Sequence, residues 1–238
     1  MELNDATHAT AWRCFASPAE LAEALARRVA TQLAAGLSAR GRASLAVSGG
    51  KTPVRFFQAL SAQSLDWSNV GITLVDERLV PDTDERSNAR LVRENLLRGE
   101  AAAARFLPLY SAAPSPGQAA ANAEAALAAS AFPRPFDVVV LGMGADGHSA
   151  SFFPDADDLA ALIENREGRL VLPVHARSAG EPRLTLSLQL LVAARFVALH
   201  IEGEEKKRVL EAALAQRDRP VSAFFGHALG GVQVFWAP

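Results

Sequence analysis

Cysteine is nearly missing from this chain: Cys14 is the only one in 238 residues. A lone thiol cannot close an internal disulfide, which excludes a disulfide-stapled scaffold and predicts a reducing, cytoplasmic setting. Cys14 itself is expected to be a partly buried small hydrophobe. No apolar run is long enough to cross a bilayer, and the opening Met-Glu-Leu-Asn-Asp lacks the basic region and apolar stretch of a secretory signal. No membrane partner is therefore expected. A long basic run is absent too: 24 Lys and Arg face 26 Asp and Glu, for a net charge of -2. That argues against a nucleic-acid surface, while leaving room for a local basic pocket around a small anion. No internal repeat is evident. What the chain has is apolar mass, 50% of its residues, enough for one large α/β domain or two small ones.

Strand and helix signals alternate from end to end. Ser17-Pro18-Ala19-Glu20 has the capping-box spacing with proline at the first helical position, and Leu21, Leu25, Val29 and Leu33 recur on one face. The spacing predicts a core-facing helix over 18–35. Apolar strand candidates fall at 43–47, 70–75, 138–141, 170–174, 195–201 and 232–236. Helices are predicted through Phe56, Phe57 and Leu60, over 88–97 and 117–130, and from the charged run at 203–208 to about 216. Residues 107–116 carry three prolines and are expected to form a loop, a candidate lobe boundary. The alternation argues for a mostly parallel sheet with helices on both faces.

Four unusual segments each follow a predicted strand. Ser48-Gly49-Gly50-Lys51-Thr52-Pro53 has the form of a glycine turn entering a helix, where free backbone N–H groups and the positive end of the helix dipole favour an anion. Ser48 and Thr52 add hydroxyl donors. It is not a Walker loop, because Leu45 stands where that motif needs glycine. Asp76-Glu77-Arg78 puts three charges at the carboxyl end of a strand, where α/β sheets hold ligands. In 203–206, Lys206 falls in the first turn of a helix, where the dipole disfavours a cation and a bound anion would offset the cost.

The fourth segment is the most informative. Val138 to Leu141 has the pattern of a strand buried on both faces, and Gly142, Gly144 and Gly147 then let the backbone turn and approach a ligand closely. His148 follows, with Asp146 two residues before it. A titratable imidazole is thus placed at the mouth of a buried strand. His8, His175, His200 and His227 have no neighbours suggesting chemistry and are expected to be solvated or structural. Asp155, Asp157 and Asp158 are expected to be solvated acids at a helix start rather than a metal cluster. The three glycines also match G-x-G-x-x-G, with Glu164 near the ribose spacing. Against a dinucleotide, Asp146 would set a carboxylate on the pyrophosphate, and about half the chain precedes the motif. In a parallel sheet all four segments share one edge, so together they predict an anion held near His148.

The segments 48–53, 75–78 with Ser87-Asn88 beyond, and 142–154 resemble the 6-phosphogluconolactonase family, and Arg183-Leu184-Thr185 and Gly203-x-x-Lys206 fall in the family's order. The resemblance runs from about residue 15 to the end, and 142–154 is its most specific part. It implies one domain over 1–238, with a three-layer α/β fold and a mostly parallel Rossmann-like sheet shared with glucosamine-6-phosphate deaminase. It also implies hydrolysis of a sugar phosphate, 6-phosphogluconolactone, in the pentose phosphate pathway, with neither metal nor cofactor. By this resemblance His148 is the general base, and Arg78 a contact to substrate and transition state. Gly49, Gly50, Thr52, Arg183 and Lys206 would contact phosphate. Ser48, Lys51 and Gly144 join them as candidate binding residues, and Asp76 and Asp146 as candidate catalytic acids. A monomer is expected. One departure is the carboxyl end, which stops soon after Val234-Phe235-Trp236, where family members run longer; no site residue is affected.

Two other readings fit the residues less well. The deaminase motif continues from Gly-His-x-Ala into Phe-Asn-Glu-Pro, whereas Ser151, Phe152, Phe153 and Pro154 stand here, so an apolar ring replaces its glutamate. A non-catalytic sugar-phosphate effector domain would be expected to follow a helix-turn-helix segment, and none precedes these motifs.

Overall fold

The predicted cap forms, with the glutamate's return bond reaching one residue before the N-cap. Ser17 Oγ accepts from the Glu20 N–H at 3.2 Å, and Glu20 Oε2 accepts from the Ala16 N–H at 3.0 Å. Such a cap contributes about 1 kcal/mol. The computed structural model describes residues 11–238, so the expectation for His8 lies outside the described residues. A short strand β1 (Ala11–Cys14) precedes the capped helix α1 (Pro18–Arg40). The chain continues as β2 (Ala43–Val47), α2 (Val54–Ser61), β3 (Val70–Leu74), β4 (Asp76–Arg78), α3 (Asn88–Asn95), β5 (Arg105–Leu107) and α4 (Pro116–Ala129). Then come β6 (Val138–Leu141), α5 (Leu159–Glu164), β7 (Val171–Val174), β8 (Arg183–Leu186), α6 (Leu188–Val192), β9 (Phe196–Glu202), α7 (Glu204–Gln216), α8 (Val221–His227) and β10 (Val232–Ala237). Helix α1 outruns its predicted end at 35 and stops where Gly41 takes a left-handed turn, its N–H donating to Leu37 O at 2.8 Å.

Seven strands form one sheet in the order β1-β10-β9-β6-β2-β3-β5, and every pairing in it is parallel. Every residue of β2, β3 and β6 is buried, as continuous apolar runs in a covered parallel sheet require. Helix α1 packs on α2 and α2 on α3, while α8 packs on α6 and α7. Right-handed crossovers put these two groups on opposite faces of the sheet. The three-layer expectation is met.

The order β3-β2-β6-β9 contains a switch point. From β2 the chain crosses to β3 on one side, and from β6 it crosses toward β9 on the other. The connections leaving the carboxyl ends of β2 and β6 therefore diverge and open a crevice between them.

Three expectations need correction. Residues 76–78 are not merely the charged end of a strand: they are β4, which pairs with β8, and β8 with β7, in a separate antiparallel sheet. The alternating pattern did not anticipate this sheet. Residues 175–182 are too few for the helical crossover a parallel pairing of β7 and β8 would need. Residues 107–116 do not separate two cores, because Leu109 is buried in the same apolar cluster as the main strands. Cys14 is exposed rather than partly buried, because β1 is an edge strand and holds its residues near the surface. No described helix is long and apolar enough to cross a membrane.

Candidate active site

The crevice has a volume of roughly 300 Å³ and brings the four segments together: its wall includes Ser48–Thr52, Arg78, Gly144, His148, Arg183 and Lys206. Asp76 lines it as well. Asp146 does not line the wall but touches a residue that does. Each predicted site residue is thus in the crevice or one contact from it.

His148 sits on the turn after β6. Gly144 N–H donates to His148 O at 2.9 Å and Gly147 N–H to Gly144 O at 3.1 Å, which closes the turn. Asp146 Oδ1 accepts from the His148 N–H at 3.1 Å and lies 2.6 Å from His148 Nδ1. That pairing assigns the proton to Nδ1 and leaves Nε2 free as a base. The imidazole keeps 29% of its side-chain surface exposed, so solvent reaches it. Burial pushes the Asp146 carboxyl up, but hydrogen bonds and charge from His148 outweigh it and hold the group below its usual range. The glycine at 144 is a matter of space. A Cβ there would lie 2.3 Å from His148 Cε1 and 2.4 Å from Nδ1.

The dinucleotide fingerprint is literal only. The turn at 142–148 opens no helix; it runs into a bridge between Ser149 and Phe152, and the next helix begins at Leu159. Without a helix N-terminus the pyrophosphate site of that motif is missing.

The glycine turn after β2 is tied to the His148 turn. Ser48 Oγ accepts from the Gly142 N–H at 2.9 Å, so its own proton stays available to donate. Gly49 lies hard against Asn88, whose Oδ1 would be 1.8 Å from a Cβ at 49. Lys51 is exposed at the mouth, and Thr52 is half-buried. Lys206, in the first turn of α7 as predicted, is half-buried, and burial pushes its ammonium below the usual lysine range against the pull of Glu202 and Glu205.

Antiparallel pairing sets Arg78 of β4 directly opposite Arg183 of β8. Like charges opposite one another destabilise a sheet. The two guanidinium groups also carry buried Nε atoms without partners, each costing about 1–3 kcal/mol. Arg183 Nη2 donates to Ala179 O at 2.8 Å, and Arg78 Nη1 donates to Arg86 O. Burial first, and Arg78 second, lower the Arg183 pKa. An anion between the two would satisfy both the charges and the open donors.

Several residues were missed. Glu77 is fully buried and accepts from the N–H groups of Arg78, Asn88 and Ala89, each at 2.8 Å, and from Ser87 Oγ at 3.1 Å. It fastens β4 to the start of α3 and so fixes Arg78. The signal was available: with period 2, Asp76 and Arg78 share the crevice face and Glu77 must point away from it. Ser151 Oγ donates to Asp76 Oδ2 at 2.6 Å, which engages Asp76 structurally. Arg219 Nη1 donates to Asp146 O at 2.9 Å, and Val221 N–H to Gly147 O at 3.0 Å, strapping the His148 turn to α8; no local signal marks this. His200 is buried as a structural histidine should be, with Nε2 3.2 Å from Glu202 Oε1, but it also reaches the crevice wall. His175 and His227 are exposed. Asp158 caps α5, while Asp155 accepts from Ser178 and Asp157 pairs with His175. Among the described residues no three His, Cys, Asp or Glu side chains converge as metal ligands.

Fold and site together define a class: an α/β protein whose carboxyl-edge crevice sets arginine and lysine side chains beside a carboxylate-oriented imidazole. Residues 16–236 match the family model described as glucosamine-6-phosphate isomerases/6-phosphogluconolactonase, and the chain belongs to that family. It is 54% identical over 238 residues to a 6-phosphogluconolactonase of Mesorhizobium japonicum, covering 100% of this chain and 98% of the relative. Against that of Pseudomonas aeruginosa identity is 46%, over 93% of this chain and 92% of the relative. The crystal structure of a 6-phosphogluconolactonase from Shewanella baltica superposes with a TM-score of 0.91 at 41% identity, covering 96% of this chain and 98% of that one. A monomeric glucosamine-6-phosphate deaminase, at 17% identity and a TM-score of 0.75 over 96% of this chain and 97% of that one, shares the fold alone.

Proposed function

We propose that this protein hydrolyses 6-phospho-D-glucono-1,5-lactone to 6-phospho-D-gluconate in the oxidative pentose phosphate pathway. The observation that carries the reading is the 2.6 Å contact between Asp146 and His148 Nδ1, in a crevice that also gathers Arg78, Arg183 and Lys206. Relatives at 54% and 46% identity carry the lactonase name, which supports the reading. Water bound beside Nε2 loses its proton to His148 as it attacks the lactone carbonyl, a contribution of about 10²–10⁴-fold. Asp146 holds the imidazole and stabilises its charged form. Arg78, with N–H groups of the glycine turn, receives the charge that develops on the carbonyl oxygen. The ring oxygen leaves as an alcohol after taking the proton back from His148.

Arg183, Lys206 and the 48–52 turn grip the phosphate and so place the carbonyl against the water. Asp76, bonded to Ser151, holds the His148 turn against β4. The route uses no metal ion and no cofactor, and suits a cytoplasmic monomer. The deaminase reading is weaker, because Phe153 packs its ring on His148 where that reaction's glutamate would stand. The direct test follows acid release from freshly prepared lactone against its spontaneous opening; acceleration by stoichiometrically trivial amounts of protein is expected. Binding without acceleration would leave only a sugar-phosphate receptor.

Lys206→Ala and Arg183→Ala should each raise KM about tenfold or more with smaller change in kcat, since a charge-assisted contact contributes about 1.5–3 kcal/mol. Unchanged KM in both variants removes the phosphate assignment. The pH dependence has a definite sign. Because burial lowers the Lys206 pKa, its charge is lost earlier on the alkaline side than an ordinary lysine's, and phosphate affinity goes with it. Inhibition by 6-phosphogluconate should weaken as pH rises toward the lysine range, and Lys206→Arg should flatten the profile. A flat wild-type profile counts against the contact.

A further inference from the structure

Phe153 carries no polar group, is only 5% exposed, and touches both working ends of the crevice. Its ring centroid lies 4.3 Å from that of His148, with the planes 34° apart. The Arg183 guanidinium carbon lies 5.7 Å from the same centroid. Phe153 is itself anchored, packing with Val174, Ala176 and Ala179 in the small apolar cluster of the second sheet, the sheet that carries Arg183.

Consider what each polar group would do without this ring. Asp146 holds His148 at one atom, Nδ1, and a single hydrogen bond leaves the imidazole plane free to tilt. Arg183 is held through Nη2 alone, with Nε unpartnered. The two groups have opposite tasks: one must accept a proton, the other must stay a cation and bind an anion. An apolar ring between them stops the tilt of the first and gives the second a face to rest on.

We propose that Phe153 is a shared positioning residue for the lactone-opening reaction, one wall that sets the imidazole plane of His148 and the guanidinium of Arg183 together. The proposal rests on the lactonase reading and goes beyond it, because a residue without chemistry of its own then tunes kcat and KM at once. A merely structural Phe153 would change melting temperature and active fraction, not both constants per folded molecule.

The experiment compares Phe153→Leu and Phe153→Tyr with the wild type, using active-site-independent protein concentration and melting temperature as controls. In Phe153→Leu, kcat should fall about tenfold or more from a misplaced base. KM should rise about two- to fivefold from the lost cation–π contact. Phe153→Tyr keeps the ring and should restore both to within about twofold. Independently of activity, the His148 Hε1 proton resonance, identified by its loss in His148→Asn, should lose its ring-current displacement in Phe153→Leu and keep it in Phe153→Tyr. A change in only one kinetic constant, equal losses in both variants, or an unmoved resonance overturns the proposal. Failure of the wild type to open the lactone overturns the functional reading instead; the resonance and the affinity for 6-phosphogluconate then decide the wall.

Discussion

Replacing His148 by alanine should lower kcat by about 10²–10⁴-fold while leaving the affinity for 6-phosphogluconate within a few-fold of wild type. The split follows from the crevice. The phosphate contacts proposed above come from the 48–52 turn, Arg183 and Lys206, none of which bonds to the imidazole. His148 makes its polar side-chain contact with Asp146, whose exposed edge can be solvated when the ring is gone. The fold should survive, so a melting curve separates lost chemistry from lost structure. Near-normal turnover in this variant would remove His148 from the mechanism. Asp146→Asn provides the companion measurement: it keeps shape but removes the carboxylate that holds Nδ1, so turnover should fall by a smaller factor than in His148→Ala while affinity for 6-phosphogluconate stays within a few-fold of wild type. Wild-type turnover in this variant would mean the 2.6 Å contact does not control the base.

Gly144→Ala should be nearly as damaging although it adds only one methyl group. The new Cβ would sit 2.3 Å from His148 Cε1 and 2.7 Å from Asp146 Oδ1, so the pair must move. A misplacement of about 1 Å at a reacting group costs on the order of 10²-fold. Backbone strain is not the cause, because Gly144 does not occupy the left-handed region. Gly226→Ala is the control: nothing lies within 4 Å of a Cβ there, and activity should not change. Wild-type kcat for Gly144→Ala would show that the Asp146–His148 geometry observed here is not needed.

Much of the site was legible because the residues that matter follow strands. Once 43–47 and 138–141 are recognised as parallel strands, the glycine turns after them must share an edge, whatever the details of packing. Lys206 could be placed in the first turn of a helix for the same reason. The antiparallel sheet was not legible. Its strand β4 is three charged residues long, and nothing in Asp76-Glu77-Arg78 says which distant segment supplies its partner. Hence Arg183 could be named as a cation, but its place opposite Arg78 could not. Glu77 illustrates a partial miss: strand periodicity points it away from the crevice, yet its partners lie about ten residues on, across a turn.

The alternation of elements, the carboxyl edge that carries the glycine turns, and the candidacy of His148 are all encoded locally along the chain, because these depend on period, propensity and chain order. Only packing through space brings Asp146 to Nδ1, sets the Phe153 ring against both His148 and Arg183, straps the turn with Arg219, and stands two arginines face to face with open donors. Those relations join side chains through space rather than along the chain, and local sequence carries no term for the packing that brings them together.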